Sequence, residues 1–250
     1  MVRVADYLRS LSAAERTPRA NRHLGRNLAF VAGAANAGGF LAVHEYTSHM
    51  TGVISAMADH IALGLFGLAA GGLLALVVFM LGAAVSALLI NWARARRLHG
   101  EYALPLLLEA ILLLVFGLLG ARIQMQMQGW VPLTVLLLCF MMGLQNAIIT
   151  KISRAEIRTT HVTGLVTDIG IGLGRLLHAW LEPAAHPAEE RKAARQRLGL
   201  HASLVLLFFV GGVIGALGFK HLGFMASVPL AAILLLLSVL PVLDDVRAPR

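Results

Sequence analysis

Thr47-Ser48-His49-Met50-Thr51-Gly52 follows one apolar run and opens another, and Thr159-Thr160-His161-Val162-Thr163-Gly164 repeats it 112 residues later. Hydroxyls, a histidine and a glycine interrupt sequence that is otherwise nearly all hydrocarbon. Polar islands of this kind are costly in lipid and mark functional positions. The composition makes lipid the solvent: 58% of the residues are hydrophobic and only 14% are charged. With several apolar runs of about 20 residues, the chain reads as a polytopic helical membrane protein. A membrane β-barrel would show alternating segments of about 10 residues, and none are present. The net charge of +8 does not point to nucleic acid, because the basic residues sit between apolar runs, where they act as topology signals. The lone Cys139 lies inside an apolar run and cannot form an intrachain disulfide.

Six runs are long enough to span: 28–44, 73–91, 103–121, 130–150, 200–219 and 222–243. Two more, 50–69 and 162–181, follow the motifs and are interrupted by Asp59 and His60 in one case and by Asp168 and Arg175 in the other. The halves match outside the motifs too. Phe79 to Leu88 resembles Phe208 to Leu217, and Pro105-Leu106 before Ala110 to Leu114 resembles Pro229-Leu230 before Ala232 to Leu236. The polar stretch 182–199 absorbs the change in offset. The chain therefore reads as a duplication, with a basic segment 1–27, a first membrane repeat 28–121, a second repeat 130–243 and a tail 244–250. In the basic segment, Ser12 and Glu15 suggest a capping box, and the segment is either a surface helix or a solvated tail.

Charge placement sets the expected topology. If the six clean runs cross and the two interrupted ones do not, 19 of the 21 Lys and Arg residues fall on one side, with only Arg122 and Lys220 opposite. That side is the cytoplasm, and both termini lie there. Three crossings per half is an odd number, so the halves are expected to be inverted relative to each other, an arrangement frequent in secondary transporters. The expected fold is all-α: six transmembrane helices as two inverted three-span repeats, plus two short interrupted helices after the motifs.

Asn36-Ala37-Gly38-Gly39-Phe40, the first motif, Ala58-Asp59, Ala62-Leu63-Gly64, Gly143-Leu144-Gln145-Asn146-Ala147 and Arg158 to Gly164 together resemble the YoaK family of bacterial membrane proteins. The resemblance covers about 28–243. Many members carry Asn after Thr-Gly, where Val53 and Leu165 stand here. The resemblance implies a fold and a membrane location and no reaction.

Function must come from the residues. In each motif a hydroxyl precedes a helical run and can cap its free N–H groups. Gly52 and Gly164 permit close approach, and the helix starts favour an anion. Thr47, Ser48, His49, Thr51, Gly52, Thr159, Thr160, His161, Thr163 and Gly164 are the expected substrate-binding residues. Capped helix starts with no ligand are the competing reading. Asp59, Glu109 and Asp168 are the candidates for proton or ion coupling. Thr51, Ser55 and Asp59 share one helix face. Arg175, seven residues after Asp168, is its candidate partner. Glu109 stands alone in a Leu-rich run and should face the interior. Asn36, Gln145 and Asn146 read first as interhelical hydrogen bonders.

The enzyme signals fail. His44, Glu45 and His49 lack the zinc-protease spacing, Gly170, Gly172 and Gly174 follow no strand, and no Gly-x-Ser-x-Gly elbow occurs. His49 and His161 would hold a metal only if the halves brought them together. No cofactor is expected. The expected partners are the lipid bilayer and a small solute, not nucleic acid; a homo-oligomer is left open. The reading is a transporter of a small polar or anionic solute, with proton coupling as an option. Its alternatives are a membrane-embedded enzyme using His49, His161, Asp59 and Asp168, and a non-catalytic membrane protein acting through partners.

Overall fold

The computed structural model describes Tyr7 and residues 17–43, 47–124, 131–152, 160–182 and 187–247, and among these it contains helices and turns and no strand. The helices are α1 (Pro18–Val43), α2 (Met50–Ala62), α3 (Phe66–Ala95), α4 (Ala103–Gln124), α5 (Val131–Ile152), α6 (Val162–Leu181), α7 (Ala188–Leu222) and α8 (Ser227–Arg247), with a 3-10 turn Gly223–Ala226 before the last. The Ser12–Glu15 capping box lies outside the described residues.

Local chemistry fixes several helix ends. α1 begins ten residues before its apolar run, because Thr17 accepts the Ala20 N–H at 3.2 Å and Pro18 takes the first helical position. The run 50–69 is not one helix. Gly64 adopts φ 73°, which ends α2. The Leu65 N–H then bonds back to the His60 carbonyl at 2.7 Å, and the remaining residues of the run open α3.

Hydrocarbon lies on the outer surface as well as in the core. Trp180 (74% exposed), Phe209 (66%) and Leu88 (66%) stand on the outside. Glu109, Gln145, Ser86 and Ser238 are fully buried. So much outward hydrocarbon needs an apolar surrounding. Four helical stretches are long and apolar enough to cross a membrane: Phe66–Ala95, Ala103–Gly120, Pro132–Ile152 and Ala188–Arg247, the last running through α7 and α8.

Cross-helix contacts give the relative directions. α1 and α7 run parallel, since Arg26 bonds Ser203 at 2.9 Å while Gly38 lies against Phe219 further along. α3 and α5 also run parallel: Gly82 meets Phe140, and Lys151 donates to Asn91 at 2.9 Å. α1 and α5 are antiparallel. Gln145 donates to the Leu28 carbonyl at 3.2 Å, and Asn21 to the Ile152 carbonyl at 3.4 Å. α4 and α8 are antiparallel, with Gly117 against Ser227 and Gly100 against Asp245. The short helices form hairpins: α2 packs on the start of α3 through Met57 and Gly72, and α6 packs on the start of α7 through Gly172 and Leu198.

Two of these crossings are backbone-on-backbone. A Cβ on Gly33 would fall on the carbonyl of Phe208, and one on Gly211 on the carbonyl of Phe30. The same exchange joins the other pair: Gly82 faces the Phe140 carbonyl, and Gly143 faces the Phe79 carbonyl. All four glycines end a Phe-x-x-Gly stretch. In lipid, helices gain little from burying hydrocarbon against each other, so close approach of small residues carries the association.

Candidate functional site

Both motifs lie beside these crossings. The Ser48 hydroxyl donates to Asn36 Oδ1 at 2.9 Å, and the Thr160 hydroxyl donates to Asn146 Oδ1 at 2.5 Å. Asn36 and Asn146 stand three residues beyond Gly33 and Gly143, roughly 4.5 Å along the helix axis. Each motif is therefore held one turn from a helix crossing. The Asn146 amide also donates to the Met142 carbonyl at 2.9 Å. The asparagines do serve as hydrogen-bonding anchors, and what they anchor is the motif. Replacing Asn146 by Leu should cost about 1–3 kcal/mol, because it strands the Thr160 hydroxyl. Thr160→Val removes the same bond from the other side, so the two losses should be markedly non-additive in thermal-unfolding midpoints.

The sequence suggested the motif hydroxyls as caps, and among the described residues Ser48 and Thr160 bond asparagines instead. His49 and His161 are the N-cap residues of α2 and α6, with φ, ψ of −95°, 67° and −84°, 59°, and neither side chain makes a capping bond. Their carbonyls accept the first helical N–H, from Val53 and Leu165, both at 3.1 Å. Neither N-cap side chain reaches the N–H groups of its first turn, and such a helix start is electropositive. Thr47 is 3% exposed and its hydroxyl oxygen has no partner among the described residues. Thr159, its counterpart, lies outside them.

The glycines differ. A Cβ on Gly52 would stand 2.8 Å from His49 Nδ1, so this glycine makes room for the imidazole over the first turn. A Cβ on Gly164 would meet nothing within 4 Å. Thr51, Ser55 and Asp59 are all exposed on α2, and Thr163 and Asp168 are exposed on α6. Thr167 donates to the Thr163 carbonyl at 3.0 Å. Asp168 and Arg175 line one cavity between α6 and α7 but form no ion pair. The two motifs belong to separate hairpins, one built on α3 and one on α7. Among the described residues, no three His, Cys, Asp or Glu side chains gather into a group that could hold a metal ion.

Glu109 lies where its Leu-rich setting suggested. It is fully buried on α4, and neither carboxyl oxygen has a hydrogen-bond partner among the described residues. Ser86, on α3, is also fully buried, and its hydroxyl has no partner among the described residues. Sequence reasoning missed it, although a lone hydroxyl in the run 73–91 was its signal. Gln145 donates across to α1, but its carbonyl oxygen has no partner among the described residues.

Residues 24–240 match the family described as "Protein of unknown function (DUF1275)". The chain belongs to this family. It is 28% identical over 216 residues to the UPF0700 transmembrane protein YoaK of Bacillus subtilis (strain 168), covering 82% of this chain and 88% of that protein. No solved structure matches it. The likeness to a transmembrane protein agrees with the outward hydrocarbon, and the chain is a YoaK-like, all-helical membrane protein.

Proposed function

We propose that this DUF1275 protein transports a small polar or anionic solute across the bacterial inner membrane, between two inverted three-span halves. In this reading α1, α3, α4, α5, α7 and α8 cross, and both termini are cytoplasmic. Four features support the inversion. α1 and its counterpart α5 are antiparallel. The Phe–Gly crossings are reciprocal, joining α1 with α7 and α5 with α3. Each motif hydroxyl bonds an asparagine at matching distance from a crossing glycine. The hairpins α2–α3 and α6–α7 occupy equivalent places in the two halves.

The observation that carries the transport reading is the pair of helix starts at Met50 and Val162. Neither N-cap histidine makes a side-chain capping bond, and both motifs are bonded to an asparagine one turn from a helix crossing. Open helix starts near the middle of a membrane layer suit an anionic or polar group. A carboxyl buried in hydrocarbon needs a partner or a proton, and Glu109 is the residue that would couple proton movement to transport. Asp59 and Asp168, exposed on the short helices, are left for solute or surface contacts.

The experiment has two stages. A panel of small anions and polar solutes, from inorganic phosphate and sulfate to short carboxylates, is screened for raising the unfolding temperature of the purified protein. Any stabilising solute is then tested for uptake into proteoliposomes. Thr51→Ala and Thr163→Ala should each weaken its binding by about 1 kcal/mol. If one solute touches both, the double variant should depart from additivity by more than roughly 0.5 kcal/mol. Strict additivity would mean two separate sites. A stabilising solute that is chemically converted but never accumulated would favour an enzyme. A flat panel with no uptake would favour a protein that acts through partners.

A further inference from the structure

The first turns of α1 carry a ridge that transport does not explain. Arg19, Arg22, His23 and Arg26 recur at spacings of three and four, which sets them on one face of the helix. With Thr17 and Pro18 they line an open cavity of about 520 Å³, and none of its described lining residues is a carboxylate. Arg26 is held by Ser203 of α7, and Tyr7 contacts His23. Arg19 and Arg22 have no ion-pair partner among the described residues, and Arg22 is half-buried. The groove between α6 and α7 also holds arginines, but Asp168 and Glu190 stand among them. Among the described residues the α1 ridge has cations alone, as does the patch of Arg191, Lys192 and Arg195 on the first turns of α7.

Its height in the molecule identifies the occupant. Asn21, on the same two turns, donates to the carbonyl of Ile152 at the end of α5. Next to Ile152, Lys151 bonds Asn91 near the end of α3. There Trp92 is half exposed, with the Arg96 guanidinium 4.7 Å from its ring centroid. A Trp stacked with Arg at the end of an apolar helix marks the boundary between hydrocarbon and headgroups. The α1 ridge lies at that boundary, on the same turns as the buried Leu24 and just before the buried Leu28. Cationic clusters at this depth recognise lipid phosphate.

We propose that Arg19, Arg22 and Arg26 form a binding site for the phosphate headgroup of an anionic phospholipid. The site is separate from the motifs and stands whether or not the protein transports anything. The test is native mass spectrometry of the purified full chain from micelles holding equimolar phosphatidylglycerol and phosphatidylcholine. The wild type should retain phosphatidylglycerol several-fold over phosphatidylcholine. Arg19→Gln with Arg22→Gln should abolish that preference, since each surface cation is worth about 1 kcal/mol, roughly fivefold. Arg191→Gln with Arg195→Gln should leave it unchanged. Arg19→Gln alone, at an exposed position, serves if the double variant does not fold, and should lower the preference by roughly a few-fold. Equal retention of the two lipids by the wild type would overturn the proposal, as would an undiminished preference in the α1 variants. Displacement of the lipid by millimolar inorganic phosphate would overturn the lipid assignment and leave a free-anion site.

Discussion

Gly143→Val should leave almost no folded protein, while Gly174→Val, in an equally helical setting, should be close to neutral. At Gly143 the first added carbon would land on the Phe79 carbonyl of α3, and backbone cannot swing aside as a side chain can. The two helices would have to part, and Gly82 on the Phe140 carbonyl would lose its seat in the same movement. Overpacking in an ordinary core costs about 1–3 kcal/mol, and a clash that separates two helices belongs at or above the top of that range. In lipid there is little other attraction to hold them. A Cβ on Gly174 would meet nothing within 4 Å, so the change there involves only helix propensity, less than about 1 kcal/mol. The measurement is the yield of monodisperse protein and its thermal midpoint in detergent. Equal stability of the two variants would show that α3 and α5 do not cross at these residues. Gly33→Val should behave like Gly143→Val, because it strikes the Phe208 carbonyl at the other crossing.

Glu109→Gln should leave the protein folded and remove any uptake driven by a pH gradient, with a loss of about a hundredfold or more. The amide keeps the size and hydrogen-bonding capacity of the carboxyl but cannot take up and release a proton. Because neither carboxyl oxygen has a partner among the described residues, the substitution breaks no existing hydrogen bond there. Solute binding without a gradient should survive, which separates a coupling role from a folding role. Glu109→Leu tests placement: at a fully buried site it should keep or raise the thermal midpoint. Gradient-driven uptake that persists in Glu109→Gln would remove this residue from the mechanism.

The sequence located the elements better than the contacts between them. The starts of α2 at Met50 and of α6 at Val162 were legible from the change of polarity at each motif. The role of the hydroxyls was not, because capping is a local rule and the Asn36–Ser48 bond depends on where the loop comes to rest. The end of α2 was available in Gly64, but the run 50–69 stays apolar through it and hid the stop. Phe30-Val31-Ala32-Gly33 and its three counterparts advertise close approach, yet spacing alone cannot name the helix that approaches. Asp168 and Arg175 are seven residues apart and share a face. They line one groove without forming an ion pair, which no sequence spacing reveals. Glu109 was the easiest to place, since one acid among leucines has only the interior to turn to.

Transport between inverted halves requires the two hairpin tips to face opposite sides of the membrane, and cysteine labelling reads this directly. Leu63 is 71% exposed at the turn between α2 and α3, and Glu182 is exposed at the end of α6. With the buried Cys139 replaced by Ala, Leu63→Cys and Glu182→Cys are each expressed in whole cells and treated with a membrane-impermeant thiol reagent. Leu63→Cys should react in intact cells, and Glu182→Cys should react only after the membrane is opened. Reaction of both positions from the same side would contradict the inversion.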